Sequence, residues 1–213
     1  MSRVNQHGVS LIEIVIGLAI VAIGIAWAIP NYSVWMQNTQ IRNTAESIVA
    51  GLQLARSEAI SRDRVVEFVL TNSSPISANE DVDIATLGSS TGKNWVARTL
   101  LSSVAGAEDY TFITGQSGSN GASSATVQAT DAALAVNLYA VTFNGLGRTL
   151  LINADASAPI AKLCVKSSRL SVANGARILE IDVATAGHVK MCDPTVTDVT
   201  DTRRCLSPGL RCS

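Results

Sequence analysis

Few side chains in this sequence are equipped for chemistry. Only two histidines occur, His7 and His188, so beyond the first residues one imidazole is available. Ser and Asp are plentiful, yet there is no Gly-x-Ser-x-Gly elbow, no His-Glu-x-x-His helix, no Walker loop and no dinucleotide fingerprint. Nothing selects a Ser-His-Asp set, and neither enzymatic activity nor a cofactor is expected. Asp193, Asp198 and Asp201 alternate with Thr and Pro as in a solvated loop, and their spacing is not that of an EF-hand. The four cysteines, Cys164, Cys192, Cys205 and Cys212, all lie in the last quarter. With no Cys-x2-Cys pair and only His188 near them, zinc is disfavoured and no metal is expected. An even number suits two disulfides in an oxidising compartment, with three connectivities open. Cys205 and Cys212 enclose a turn-rich Leu-Ser-Pro-Gly-Leu-Arg stretch, and a Cys192–Cys205 bridge is equally feasible.

One carboxylate is out of place. Residues 9–29 contain no Lys, Arg or Asp, and Glu13 is their only charge. As a helix they span about 32 Å at ~1.5 Å per residue, enough to cross a bilayer core. The run is too long for a secretory signal core, and no small-x-small cleavage site follows it. Pro30 closes it. Arg3 and the starting amine precede it without an acid, which predicts a cytoplasmic N-terminus with the remainder outside. A carboxylate inside a membrane helix costs about 2.5–3.5 kcal/mol on insertion scales, so such acids usually have a partner. A cut after the small residue Gly8 would give Val9 a cationic amine at the membrane edge. Pairing that amine with Glu13 of a neighbouring subunit would neutralise both groups and set the register between helices. The plainer alternative is a signal anchor whose Glu13 snorkels to the headgroups.

The order Gly8-Val9-Ser10-Leu11-Ile12-Glu13, with the apolar run and Pro30 behind it, resembles the class III signal of type IV pilins and type II secretion pseudopilins. That pattern is Gly, an apolar residue (most often Phe), then Thr/Ser-Leu-Ile-Glu; Val9 is a mild departure. The resemblance implies cleavage after Gly8 by the prepilin peptidase, methylation of the Val9 amine and a filament-docking role for Glu13. Three further stretches are similar to the FimT/FimU and GspH group of minor pilins and minor pseudopilins. They are Leu54-Ala-Arg-Ser-Glu-Ala-Ile60, the turn Phe143-Asn-Gly-Leu-Gly-Arg148, and Ala176-Arg-Ile-Leu-Glu-Ile-Asp-Val with Gly187-His-Val-Lys-Met-Cys192. The group implies a non-enzymatic minor pilin near the tip of a type IV pilus. A GspH-type pseudopilin of a type II secretion system is the alternative, and a DNA-binding minor pilin for natural transformation is a further one. Implied partners are other pilins or pseudopilins, the prepilin peptidase and the inner-membrane assembly platform. The implied location is the bacterial inner membrane, single-pass with the head in the periplasm, and extracellular once in a pilus.

Some FimT-like pilins bind DNA through Gly-Arg-x-Arg near the last strands. The corresponding stretch here is Gly187-His188-Val189-Lys190, which lacks both arginines. His is mostly neutral at pH 7, and Lys lacks the guanidinium fork. Arg203, Arg204 and Arg211 offer a substitute patch for salt-sensitive phosphate contacts, or they offset Asp198 and Asp201 on the loop. The formal net charge of −1 and 4% aromatic content give no general signature of nucleic-acid binding.

These groups need positioning. Ile41, Ala45, Ile48, Leu52, Ala55 and Ala59 recur at helical spacing, with Arg42, Glu46, Gln53 and Arg56 off the stripe, which predicts an amphipathic helix. We expect it to continue the membrane helix with a bend at Pro30. Strands are predicted at 64–70, 94–101, 139–143, 160–166, 176–183 and 188–192, with a flexible Gly/Ser loop at 115–124. The organisation expected is a leader (1–8), a transmembrane or filament-core helix (9–30), its amphipathic continuation (31–62) and a β-rich periplasmic head (63–213). The fold class is α+β: a long N-terminal helix packed on an antiparallel β-sheet head.

Overall fold

The computed structural model describes residues 10–73, 88–100, 110–117, 124–131, 133, 135 and 137–205, with the side chains of residues 27–31 set aside. The chain divides into two compact units, Met1–Met36 and Gln37–Ser213.

Helix α1 runs from Leu11 to Arg62, and Pro30 lies inside it. Ser10 stands at its N-cap, its carbonyl accepting from the amides of Glu13 (3.1 Å) and Ile14 (3.3 Å). Ser10-x-x-Glu13 also has the spacing of a capping box, and an acid in the first turn complements the helix dipole. Glu13 therefore has a local helical reason to be where it is, a signal that the membrane-cost reading passed over.

In the second unit the predicted apolar stripe is the spine of the core. Ile41, Ala45, Ile48, Leu52, Ala55 and Ala59 are fully buried. Each Ile or Leu among them contributes about 1.5–3 kcal/mol through burial. Arg42 and Glu46 pair on the exposed face, as do Arg62 and Glu58, both at i,i+4 spacing. Such pairs add only a few tenths of a kcal/mol each. Gly51 sits on the buried side, where a Cβ would lie 2.6 Å from the Trp95 ring. Its missing side chain lets Trp95 stack on Phe68, ring centroids 5.8 Å apart, under the helix.

Among the described residues the head contains two four-stranded antiparallel sheets, as the α+β class with an antiparallel head implies. In the first, the strand order is β3 (Tyr110–Gln116), β2 (Asn94–Leu100), β1 (Val66–Thr71), β5 (Ala140–Phe143). In the second it is β4 (Ala125–Thr130), β6 (Lys162–Ser167), β7 (Leu179–Val183), β8 (Val189–Cys192). Val66, Phe68 and Leu70 from the first sheet and Val127, Leu163, Val165 and Ile181 from the second join the helix stripe in one cluster. The sheets meet where the Ile160 amide bonds the Ala140 carbonyl and the Ala161 amide bonds the Thr130 carbonyl, each at 2.9 Å.

Four of these strands fall within predicted segments, β1 and β6 each run one residue past theirs, and β3 and β4 were not anticipated. Gly115 and Gln116, expected in a flexible loop, belong to β3 and pair with Val96 and Trp95. Ladder partners on β2 override the Gly/Ser-rich composition there. Ser124, at the other end of that segment, is buried against the Gln40 side chain of α1. Residues 118–123 lie outside the described residues. Strand β7 starts at Leu179 rather than 176 because the Arg177 amide bonds Asn38 Oδ1 of α1 (2.8 Å).

Candidate functional site

The first candidate site is the start of α1. Leu11, Ile12, Ile14, Val15, Ile16, Leu18, Ile20, Val21, Ile23 and Ile25 are each more than half exposed, and Glu13 is exposed among them. Large apolar side chains on every face of a helix suit a membrane or a bundle of like helices, because water leaves that surface unburied. Tyr32 and Trp35 follow, exposed, with ring centroids 5.8 Å apart. Among the described residues no helix is long and apolar enough to cross a membrane. The described side chains of the run end at Ala26, whereas the sequence carries it to Ile29. Gly8 and Val9 lie outside the described residues.

The second is the junction of helix and turns in the head. The turn after β5 and the turn before β8 touch at two glycines of positive φ, Gly147 (73°) and Gly187 (79°). A Cβ on Gly187 would collide with the Gly147 carbonyl oxygen. That oxygen also accepts a hydrogen bond from Arg56 Nε of α1 at 3.0 Å. Arg56 thus ties the helix to both turns; the sequence showed it off the apolar stripe and within the Leu54–Ile60 stretch, without its partner. Both glycines belong to the stretches whose resemblance was noted, and the left-handed backbone explains why glycine stands there.

The third is the C-terminal region. Cys192 and Cys205 form a disulfide, which selects one of the feasible pairings over a Cys205–Cys212 staple. Cys164 is disulfide-bonded as well. Cys212 and Arg211 lie outside the described residues. Asp193, Asp198 and Asp201 do not converge on an ion. Each caps its own turn, accepting from the amides of Thr195 (2.9 Å), Thr200 (2.9 Å) and Arg203 (2.8 Å). One group among the described residues, Glu180, Cys192 and Cys205, is close enough to share a metal. Its sulfurs are joined to each other and offer no thiolate, so the donor set does not fit one.

The basic candidates come only partly together. Lys190 donates to the Arg204 carbonyl at 3.2 Å, and His188 is exposed on the neighbouring turn. Arg203 is engaged by Asp201 at 2.6 Å. Hydrogen bonds from Arg203 hold the Asp201 carboxyl down at about 2, and the same contact raises the Arg203 value. This is the charge-offset arrangement, and it removes one arginine from any phosphate-binding patch.

Three polar networks escaped the sequence reading. On the face of the first sheet turned away from α1, Glu67 and Arg98 are cross-strand partners with an ion pair of 2.9 Å, both almost fully buried. The Arg98 guanidinium carbon lies 3.6 Å from the centre of the Tyr110 ring. Next to β5, the Tyr139 hydroxyl donates to Asp155 at 2.6 Å. That bond, with burial, pushes Tyr139 up to about 12. Burial pushes Asp155 up, but hydrogen bonds from Ser157 and Tyr139 outweigh it and hold the carboxyl below its ordinary value. On the second sheet Lys162 Nζ bridges Glu180 (2.7 Å) and Asp182 (3.2 Å). The signal available for these pairs was charge at alternate positions of β1, β6 and β7, which reads equally well as a solvated strand face.

Comparison with known proteins agrees with this arrangement. Residues 3–29 match the prokaryotic N-terminal methylation motif. Residues 44–187 match the family Type II transport protein GspH. Among solved structures the chain is similar to the type IV minor pilin FimU of Pseudomonas aeruginosa strain PAO1 in two crystal forms. In space group P21 the identity is 20%, the TM-score 0.42, and 74% of this chain and 91% of FimU are covered. In P65 the identity is 20%, the TM-score 0.38, and the coverage 70% and 90%. Among curated proteins nothing matches. The second family match spans well over half of the sequence and includes most of the helix stripe, strands β1 to β7 and the paired glycine turns: the chain belongs to the GspH family of type II transport proteins and carries the prokaryotic methylation motif at its N-terminus.

Proposed function

We propose that this protein is a minor pilin, a non-enzymatic subunit that enters a type IV pilus, near its tip, through its N-terminal helix and supports assembly. The observation that carries the reading is the contrast along α1. Its later half buries a stripe in the head, while residues 11–25 expose large apolar side chains and one carboxylate. Such a surface is at home in lipid before assembly and among neighbouring helices after it. On this reading the leader is cut after Gly8, the Val9 amine is methylated, and a single-pass helix holds the subunit in the inner membrane with its head in the periplasm. Glu13 then pairs with the Val9 amine of an adjacent subunit, which neutralises a charge that is costly in an apolar bundle. Partners are other pilins, the prepilin peptidase and the assembly platform.

Intact-mass measurement of the membrane-extracted chain tests the processing step. The expected mass is that of a chain starting at Val9 and carrying one methyl group, and a Gly8→Val variant keeps its leader. A wild-type chain that retains residues 1–8 contradicts it. A second reading, a minor pseudopilin of a type II secretion system, is favoured by the family match itself. Deletion separates the two: loss of surface pili with normal exoprotein secretion supports the pilus reading, and the reverse supports the secretion reading.

A further inference from the structure

The second sheet buries a carboxylate beside a disulfide. Glu180 on β7 is fully buried. Its register partner on β8 is Cys192, and its partner on β6 is Cys164. One Glu180 carboxylate oxygen and the sulfurs of Cys192 and Cys205 lie within 4.8 Å of one another. Lys162 from β6 holds Glu180 Oε1 at 2.7 Å, while Oε2 is buried with no hydrogen-bond donor. A carboxylate oxygen in that position is costly to leave unsatisfied. A thiol on Cys192 would have this carboxylate beside it, with one Glu180 oxygen within 4.8 Å of the sulfur, and a disulfide has no hydrogen left to share. The other charged groups around Glu180 are Asp182, whose Oδ2 is 3.8 Å from the Cys192 sulfur, and Lys190, across from Asp182 on β8.

We propose that Glu180 is the built-in proton acceptor for closing the Cys192–Cys205 bridge. The sheet register sets Glu180 opposite Cys192 before any bridge exists, so the base and its thiol are placed by folding alone. Cys205 lies at the far end of residues 193–205 and is the sulfur free to meet an external disulfide while the ring is open. Its thiolate attacks that disulfide, forming a mixed disulfide and releasing one thiolate of the oxidant. The Cys192 S–H then passes its proton to Glu180, and the Cys192 sulfur attacks the Cys205 sulfur. The new S–S bond forms, the second half of the oxidant leaves as a thiolate, and Glu180 returns the proton to it or to water. Two cysteine thiols are oxidised by two electrons, and one disulfide of the oxidant is reduced to two thiols. Burial raises the Glu180 pKa, which improves it as a base for this transfer. Closure then buries Glu180, Cys192 and Cys205 together and fixes the C-terminal ring on β8 through the Asp193 amide and the Arg203 carbonyl at 2.7 Å.

The test uses the full-length mature chain in detergent, reduced and then oxidised with glutathione disulfide. Samples are quenched with an alkylating agent and peptide-mapped for the 192–205 bridge and for the glutathione adduct on Cys205. In the wild type, conversion of adduct to bridge should level off with pH well below the thiol range near 8.5. E180Q should accumulate the adduct and close about 10²-fold more slowly near pH 6, with the difference shrinking as pH approaches 9. D182N, which removes the other carboxylate near the Cys192 sulfur, should slow closure less than E180Q does. A wild-type rate that climbs about tenfold per pH unit up to the thiol range, as free-thiol exchange does, overturns the proposal. Equal closure by E180Q, or equal slowing by D182N, overturns it too. If E180Q fails to fold, the wild-type profile alone decides the question.

Discussion

Arg98 and Glu67 are the residues whose removal should be felt most in the head. With both side chains almost fully buried, Arg98→Met leaves Glu67 without its ion-pair partner between two strands. Breaking one side of such a pair costs about 3–5 kcal/mol, so denaturant unfolding of the variant should show a loss of that size. The double change Glu67→Gln with Arg98→Met should recover a large part of it. A single-variant loss under about 1 kcal/mol would mean that the pair is effectively solvated. Tyr139 and Asp155 make a second residue-scale statement, about pH. Asp155 is held low, so its contribution is present above the ordinary carboxylate range and is lost as pH falls through its folded value. Tyr139 is raised, so its contribution is present below about 10 and lost as pH rises toward about 12. Ultraviolet titration should therefore show one tyrosine ionising later than the others, and Asp155→Asn should bring it back. The sequence did not reveal these pairs, because a charge at an alternating strand position looks the same whether water or a partner strand faces it.

At the scale of the elements, the paired glycine turns are the joint to test. Gly187→Ala puts a Cβ at a left-handed position and against the Gly147 carbonyl. The backbone term alone is about 1–2 kcal/mol, and the collision adds to it. Thermal unfolding should fall clearly below that of Gly175→Ala, which shares a positive φ but lies beside a short 3-10 turn with no buried residues. Equal melting temperatures would show that the contact between turns carries no stability. The helix was the most legible element, since all six stripe residues are fully buried. Its periodicity over many turns leaves little ambiguity. Six strands could be read for a similar reason, as apolar alternation bounded by turn residues. Strands β3 and β4 could not. Their sequences, Tyr-Thr-Phe-Ile-Thr-Gly-Gln and Ala-Thr-Val-Gln-Ala-Thr, are half polar and become strands only through ladders with β2 and β6.

For the whole molecule, the N-terminal signal was legible because it combines an ordered motif with a physical anomaly, an acid in an apolar run. The family match and the exposed apolar helix agree with it. What the filament is for was not legible, since that depends on surfaces whose partners lie outside this chain. The basic C-terminal candidates illustrate the difficulty: Arg203 read equally as a phosphate contact or as an offset to a loop acid, and its pairing with Asp201 follows the second reading. On the proposed function, Glu13 acts in filament entry rather than in anchoring. The most direct measurement is the amount of Glu13→Ala chain in sheared, purified filaments relative to that in the inner membrane, with the wild type alongside. The account predicts normal membrane levels and normal leader removal with at least about a tenfold loss from filaments, as expected for a broken charge pairing in an apolar bundle. Wild-type abundance of the variant in the filaments would contradict it.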